Sequence, residues 1–217
     1  MHLISCILYP VSCILHPSTL ILAFPYLALK LRDMITFNFN PFPVIETERL
    51  LLRAVNMNDC EAMYFLRSNK EVTKHFNRDP DADMEVTRAK IVEILQNQEK
   101  NEAVFWVIAW KENPSTMIGN IGYWRIEAQH HRAEIGYLLH PEHWKKGIMK
   151  EALKAVLDYA FNSMKLHSIE ANINPDNTAS AVLLERCGFV REAYFKENIF
   201  HNGVYYDSAI YSKLSGQ

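Results

Sequence analysis

The sequence predicts a mixed α/β fold, with one central sheet and helices on both of its faces. Three observations support this prediction. Apolar segments of strand length alternate with amphipathic helical segments. A buried strand leads directly into a long helix in the middle of the chain, and an Asn-Gly turn joins two further strands near its end. Early strands, a strand–helix–strand–helix core and a final hairpin are typical of a mixed sheet.

The composition is that of one globular domain with a sizeable core. The chain has 217 residues, of which 49% are hydrophobic and 22% are charged. Its formal net charge of -2 argues against direct nucleic-acid binding, which requires a basic excess. The four cysteines form no C-x-x-C pair and no metal-ligand spacing. We therefore expect a reduced, cytoplasmic protein without a bound metal.

The first 33 residues differ in character from the rest. Residues 3–29 contain no Asp, Glu, Lys or Arg, and such a run is long enough to cross a bilayer. Three prolines interrupt it, and Met34 offers an alternative start. We expect residues 1–33 to be a hydrophobic extension outside the fold and residues 34–217 to form the domain. Membrane contact is expected only if residues 3–29 are part of the expressed protein.

Local patterns predict the elements that flank the centre. Residues 44–55 are predicted to form the first strand, with Leu50 and Leu52 on one face. Asn58 or Asp59 is the expected cap of a helix that ends at Ser68. The other expected elements are a helical turn over 70–76, a helix over 84–99 with Val86, Ile91, Ile94 and Leu95 inward, strands over 104–110, 117–126 and 168–173, a helix over 178–187, and a hairpin from 189 that turns at Asn202.

The central unit is a strand, a turn and a long helix. Residues 133–139 are predicted to form a buried strand, and Pro141 should end it because proline cannot donate to a sheet ladder. After Gly147, apolar residues recur at helical spacing as far as Met164. The strand therefore leads through a short turn into the N-terminus of a helix.

The turn has the features of an anion site. The first N–H groups of a helix lack intrahelical partners, and the helix dipole makes this end positive. Gly147 allows close approach to the backbone, and Lys145 and Lys146 add two cations. The P-loop and dinucleotide fingerprints are absent. From spacing alone, a phosphate site and an ordinary strand–helix connection with solvated lysines remain equally open.

Four segments resemble one known family. H-P-E-H-W-K-K-G-I-M-K-E-A-L at 140–153 resembles the acyl-CoA-binding motif of the GNAT N-acetyltransferases, most closely the branch that acetylates ribosomal-protein N-termini. E-T-E-R-L-L-L-R at 46–53, N-P-D-N-T-A-S-A-V-L-L-E-R-C-G-F at 174–189, and N-G-V-Y-Y-D-S-A-I-Y-S near the end also match that branch. The resemblance covers about residues 35–214. It departs from the family at Trp144 and Met149, which replace the first and last motif positions, and at Lys145, where the branch usually has Gly.

The resemblance implies acetyl-CoA as co-substrate and a set of residues that bind it. Because phosphates would bind mainly to backbone N–H groups, we expect the site to survive the departures. The implied acetyl-CoA-binding residues are Leu138, Leu139, His140, Trp144, Lys145, Lys146, Gly147, Ile148, Met149, Lys150, Asn174, Asn177 and Ser180. Asn177 is expected to bind the pantetheine arm, with a plain helix cap as the alternative.

The implied reaction is attack of a neutral amine on the acetyl thioester, which needs a proton acceptor and a donor for the departing thiolate. Glu134 is the first candidate base, and a salt bridge with Arg125 or Arg132 is the alternative. Glu192 is a second candidate that binds the ammonium or relays its proton; the alternative is an exposed strand residue.

The donor for the thiolate is open. Many members of the family carry a tyrosine four residues before the Gly-Phe pair, and this chain has Leu184 there. Ser180, which the resemblance places at the sulfur, is the third candidate catalytic residue; a water molecule or Tyr137 are the alternative donors. Cys187 lies among apolar neighbours and is expected to pack in the core.

The resemblance implies a protein or peptide N-terminal amine as acceptor, possibly that of a ribosomal protein. Acetylation of a small amine, such as a polyamine, an amino sugar or an antibiotic, is the enzymatic alternative. A non-catalytic acyl-CoA-binding module is the alternative from another class, and Leu184 is the feature that favours it. Both monomer and homodimer remain open.

Overall fold

The computed structural model describes residues 35–216, which form eight strands and five helices. The elements in chain order are β1 (Ile45–Glu46), β2 (Leu50–Ala54), α1 (Cys60–Ser68), α2 (Lys70–Thr73), α3 (Met84–Glu99), β3 (Val104–Trp110), β4 (Gly119–Glu127), β5 (Arg132–Leu139), α4 (Ile148–Asn162), β6 (Ser168–Ile173), α5 (Thr178–Arg186), β7 (Val190–His201) and β8 (Val204–Leu214). Short 3₁₀ turns lie at Met57–Asp59, Ala128–His130 and Pro141–His143. The predicted extension over residues 1–33 lies outside the described residues.

All eight strands belong to one sheet, in the order β1-β2-β3-β4-β5-β6-β8-β7. Neighbouring strands are antiparallel except β5 and β6, which are parallel. These two pair at only three positions, from Arg132–Ser168 to Glu134–Glu170. Beyond Glu134 and Glu170 both strands continue without pairing to each other, so the sheet is split between β5 and β6 toward their C-terminal ends.

Helices cover both faces of the sheet, which confirms the predicted architecture. Alternate residues of β3 show the division, because Trp106 and Ile108 join one core and Val107 joins the other. The larger core includes the inward faces of α4 and α5. The smaller core includes α1 and α3, with Met63 and Ile91 fully buried.

The predicted strand over 44–55 is wrong in one respect, because the chain turns back on itself within it. β1 and β2 form an antiparallel pair, and the Thr47 N–H donates to the Leu50 carbonyl across the turn at 3.0 Å. Asp59 is the N-cap residue of α1, as predicted, although its side chain makes no capping bond to α1. The side-chain caps belong to the preceding 3₁₀ turn, where Asn56 accepts from the Asn58 N–H and the Asp59 carboxylate accepts from the Asn56 N–H.

Helix α3 has the predicted length, but its inward face differs at one position. Val86 is exposed, whereas Thr87 is fully buried. The Thr87 hydroxyl donates to the buried carboxylate of Asp81 at 2.6 Å, which explains why a polar side chain points inward. Burial tends to raise the pKa of Asp81, but hydrogen bonds from Arg67 and Thr87 hold that pKa below its usual value.

Two cysteines lie in the described part of the chain, and both Cys60 and Cys187 are buried free thiols. Burial raises the pKa of the Cys187 thiol, which agrees with a packing role. Between residues 35 and 216, no cluster of His, Cys, Asp and Glu is arranged to hold a metal ion. Over the same residues, no helix is both long and apolar enough to span a bilayer.

Candidate active site

A cleft of about 1130 Å³ opens at the split in the sheet. It is lined by the diverging parts of β5 and β6, the N-terminal ends of α4 and α5, and the segment from α1 to the start of β3. A site of this size exceeds the usual 300–1000 Å³ of a small-molecule pocket. The cleft can therefore hold a long donor and an acceptor together.

The turn before α4 keeps its shape through two left-handed residues and one indole hydrogen bond. Lys145 has φ 59° and Gly147 has φ 76°. Trp144 Nε1 donates to the carbonyl of Leu139 at 2.8 Å and ties the turn to the end of β5. Left-handed backbone favours glycine, which explains why a glycine would suit position 145. The first intrahelical bond runs from Glu151 N–H to the Gly147 carbonyl at 3.1 Å, so the preceding N–H groups of α4 are available to an anion.

A clamp made of Thr47, Arg49 and Glu151 holds this turn from the other side. The Glu151 carboxylate accepts from Thr47 Oγ1 at 2.6 Å, from the Arg49 N–H at 2.9 Å and from Arg49 Nε at 2.7 Å. Arg49 Nη1 also donates to the Lys146 carbonyl at 3.3 Å. Burial tends to raise the pKa of Glu151, but the hydrogen bonds from Thr47 and Arg49 lower it overall. The carboxylate is therefore an ionised anchor that joins the β1–β2 turn to α4.

Glu134 lies where β5 and β6 separate, and its side chain is 15% exposed. Arg125 Nη1 donates to Glu134 Oε2 at 2.8 Å, so the predicted alternative of a salt bridge with Arg125 is present. Arg125 is 72% exposed and lies in an irregular stretch of β4. The guanidinium lies largely in solvent and can be hydrated when it moves away. The largely buried carboxylate then needs another partner, and a substrate ammonium would provide one.

Trp124 covers the sheet beside Glu134 on the same face. The two residues are register partners in β4 and β5, and Gly136 follows Glu134 on that face. A Cβ built at Gly136 would lie 1.7 Å from Cη2 of Trp124. Only glycine therefore admits the indole at this position. Trp124 is one of the larger exposed apolar residues and lines the cleft.

The start of α5 faces the cleft from the β6 side. Asn177 caps the helix, because its Oδ1 accepts from the Ser180 N–H at 3.1 Å, so the predicted alternative of a helix cap is present. Asn174 Oδ1 accepts from the Asp176 N–H at 2.9 Å and shapes the entering turn. Ser180 lines the cleft, whereas Leu184, one turn later, is fully buried.

Tyr137 faces the cleft opposite Ser180. Within residues 35–216, its hydroxyl oxygen is buried and makes no hydrogen bond. Burial raises the pKa of Tyr137 to about 12, and an interaction with the Ser180 side chain opposes part of the rise. Its hydroxyl is therefore protonated throughout the neutral range.

The structure brings most of the predicted site residues together. Those that line the cleft are Glu134, Leu138, Leu139, Trp144, Lys145, Gly147, Ile148, Met149, Lys150, Asn174, Asn177 and Ser180. His140, Lys146 and Glu192 do not line it. His140 stacks on Phe65 with 4.4 Å between ring centroids, and Lys146 contributes its carbonyl to the clamp. Glu192 is exposed at an irregularity of β7, in agreement with the alternative that it is an exposed strand residue.

Sequence reasoning missed the clamp and the position of Trp124. Thr47 and Arg49 belong to the E-T-E-R segment that carries part of the resemblance, and that segment was the available signal. Nothing in the sequence paired it with Glu151, about one hundred residues away. For Trp124, the neighbouring Gly136 in a strand was a signal of close approach.

The far end of the cleft has a cationic wall made by α1, α2, α3 and their connections. Four cationic side chains and two carboxylates line this wall, namely Arg67, Lys74, Arg78, Lys90, Glu71 and Glu93. Arg67 and Arg78 share the carboxylate of Asp81 behind the surface. Burial and Lys74 lower the pKa of His75, which favours its uncharged imidazole.

A sheet that splits between two parallel strands, with a helix N-terminus at the split, defines a class of enzymes that take an acyl group from coenzyme A. The cleft fits this class because the diverging strands leave main-chain groups free along an extended ligand. The chain belongs to the GNAT acetyltransferase family, whose acetyltransferase (GNAT) domain matches residues 49–190. It is therefore an N-acetyltransferase.

Relatives within the family differ in their acceptors. The chain is 34% identical to the uncharacterized N-acetyltransferase YoaA of Bacillus subtilis over 79% of this chain and 96% of the relative. The ribosomal-protein-S5-alanine acetyltransferase of Vibrio fischeri superposes with a TM-score of 0.70 at 27% identity, over 81% of this chain and 98% of that one. The spermidine N-acetyltransferase of Vibrio cholerae, solved with CoA and spermine, gives a TM-score of 0.69 at 26% identity, over 77% and 96%.

Proposed function

We propose that this protein transfers the acetyl group of acetyl-CoA to the N-terminal amine of a protein or peptide in the cytoplasm. One observation carries the proposal. The cleft joins a helix N-terminus that suits phosphates to a carboxylate, Glu134, at the point where β5 and β6 separate. The acceptor therefore has to reach Glu134 from the end of the cleft opposite the α4 turn.

The donor would lie along the split in the sheet. Backbone N–H groups at the start of α4 would accept the pyrophosphate, aided by the cations Lys145 and Lys150. The free main-chain edges of β5 and β6 suit the amide groups of the pantetheine arm. Asn174, Asn177 and Ser180 would contact the arm from the β6 side, which leaves the thioester near Glu134.

Glu134 is the group we propose as general base. Once Arg125 turns aside, its carboxylate accepts a proton from the acceptor ammonium, directly or through water, and the neutral amine attacks the thioester carbon. The N–C bond forms as the C–S bond breaks, and the sulfur keeps the electron pair. Trp124 flanks the same place and would exclude water from the attacking amine.

The charge of the acceptor wall favours a peptide over a polyamine. A polyamine carries several positive charges, and the four cations of this wall outnumber its carboxylates by one when Asp81, paired with Arg67 and Arg78, is counted with Glu71 and Glu93. A peptide brings one α-amine and an uncharged or acidic chain. The ribosomal-protein relative from Vibrio fischeri supports the same class of acceptor.

Thiol release from acetyl-CoA tests the proposal with a panel of acceptors. Peptides that begin with Ala or Ser should be acetylated with a higher kcat/KM than spermidine, and the same peptides with blocked N-termini should release no thiol. A preference for spermidine would place the protein with small-amine acetyltransferases. Binding of CoA without release, whatever the acceptor, would favour a non-catalytic acyl-CoA-binding module, the alternative for which Leu184 is the argument. Sedimentation of the same samples would distinguish monomer from homodimer.

A further inference from the structure

The hydroxyl of Tyr137 is a buried polar group whose hydrogen-bonding capacity is not satisfied within residues 35–216. It lines the cleft, its oxygen is shielded from solvent, and within residues 35–216 the Ser180 side chain lies beside it without completing a hydrogen bond of normal geometry. Buried hydroxyls nearly always have a partner, so an unpaired one that faces a ligand cleft indicates a partner on the ligand.

The position of Tyr137 in β5 determines which part of the ligand it can meet. Side chains alternate along a strand, so Tyr137 and Glu134 lie on opposite faces of the sheet. Tyr137 packs against the larger core, together with its strand neighbours Ile135 and Leu139. The gap between β5 and β6 begins directly after Glu134 and opens to both faces of the sheet. The proposed base therefore lies on one side of the reacting thioester and Tyr137 lies on the other.

The same side carries the start of α5. Ser180 lies close enough to Tyr137 to influence it, while Leu184 offers no polar atom and is buried. Helix α5 therefore supplies no phenol to the cleft, and the phenol that faces this side comes from β5.

We propose that Tyr137 donates a hydrogen bond to the sulfur of coenzyme A as negative charge develops on it, with Ser180 alongside. This inference rests on the proposed function, because it names the group that stabilises its leaving thiolate. The amine, neutral once Glu134 has taken the ammonium proton, forms the N–C bond and releases the extra proton on its nitrogen to solvent. The C–S bond breaks, the electron pair stays on sulfur, and the thiolate takes its proton from solvent after it leaves.

The pKa values of the phenol and the thiol show why Tyr137 would donate a hydrogen bond to the sulfur rather than transfer its proton. Burial raises the pKa of Tyr137 to about 12, whereas an ordinary thiol has a pKa of about 8.5. The thiolate is therefore too weak a base to remove the phenolic proton. The hydroxyl stays protonated and acts as a fixed donor, like the donors of an oxyanion hole.

Titration of the thiol of bound CoA tests the inference without an acceptor. The ultraviolet absorbance of the thiolate gives the thiol pKa in the wild type, in Tyr137→Phe and in Ser180→Ala. Tyr137→Phe removes only the hydroxyl and keeps the packed ring. It should leave the affinity for CoA nearly unchanged, raise the pKa of the bound thiol by about one unit and lower kcat by about 10²-fold.

Tyr159→Phe is the matched control, because Tyr159 packs against the same core and does not line the cleft. It should change neither the thiol pKa nor kcat. An unchanged thiol pKa in Tyr137→Phe would overturn the inference and leave the proposed acetyl transfer standing. A rise confined to Ser180→Ala would also overturn it and assign the donor to Ser180. Failure of the wild type to bind CoA would overturn the proposed function itself.

Discussion

Replacement of Glu151 by glutamine should weaken both the fold and the donor site, because the clamp joins the two. The carboxylate accepts three hydrogen bonds of 2.6–2.9 Å from Thr47 and Arg49. Bonds to a charged group contribute about 1.5–3 kcal/mol each. Arg49 is 41% exposed, so solvent screens its share, and the glutamine oxygen keeps part of the pattern. We expect Glu151→Gln to lower the free energy of unfolding by about 2 kcal/mol and Tm by about 4–8 °C.

The same change should reduce the affinity for CoA. Arg49 donates to both the Glu151 carboxylate and the Lys146 carbonyl, so a weaker bond to residue 151 should loosen its support of the turn. A loss of about 1 kcal/mol corresponds to a roughly fivefold rise in Kd. Calorimetric titration with CoA measures this directly.

The pH dependence of the stability difference gives a further test. The pKa of Glu151 is lowered in the folded protein, so its stabilisation is complete above the unfolded pKa of about 4.3 and is lost as pH falls through the lower folded pKa. The difference in unfolding free energy between wild type and Glu151→Gln should therefore be constant near neutral pH and shrink in acid.

Glu170→Gln is the matched control for the clamp. Glu170 pairs with Arg132 at 3.1 Å, and each side chain is more than a third exposed. This change should lower the free energy of unfolding by less than about 1 kcal/mol. Equal unfolding curves for the two variants would refute the clamp. A destabilised Glu151→Gln with unchanged affinity for CoA would refute its link to the donor site.

Three further predictions concern the base and the turn. Glu134→Gln should keep the fold and lower kcat/KM by about two to four decades, with a loss that shrinks as pH rises because more of the amine is then neutral; a pH-rescued loss in Glu192→Gln instead would assign the base to Glu192. Gly147→Val should weaken CoA binding much more than Lys146→Ala, because a branched residue disfavours φ 76°; calorimetry that shows wild-type affinity for Gly147→Val would contradict the site. Lys145→Gly should change the free energy of unfolding by less than about 1 kcal/mol, since relief of the left-handed strain opposes the added flexibility of the unfolded chain; denaturant unfolding that shows a larger loss would mean the lysine side chain stabilises the turn.

The central unit of the fold was predictable because its signals are local. Residues 133–139 and the helix after Gly147 follow from periodicity, Pro141 and glycine, and β5 and α4 match them closely. The end of the predicted first strand was accurate, but the turn after Thr47 was not foreseen. No glycine or proline marks that turn, and the Thr47 side chain supplies the bonding through Leu50.

Features that depend on residues distant in the chain could not be predicted from the sequence. Thr87 looks like a surface residue until Asp81 is placed behind it, and Val86 then turns outward. The same reasoning applies to Glu134. Its pairing with Arg125 was one of two options in the sequence, and only the register of β4 against β5 selects between them.

The short ladder between β5 and β6 has a mechanical consequence. Main-chain pairing joins the first five strands to the last three at only three positions, so a pulling force on the sheet would load this seam first. Acetyl-CoA that hydrogen bonds to the free edges of both β5 and β6 would add bridging contacts between the two parts of the sheet. At a hundredfold excess over Kd, binding would add about 2.7 kcal/mol to the free energy of unfolding. We expect that gain to appear as slower amide hydrogen exchange in residues 135–139, where β5 does not pair with β6.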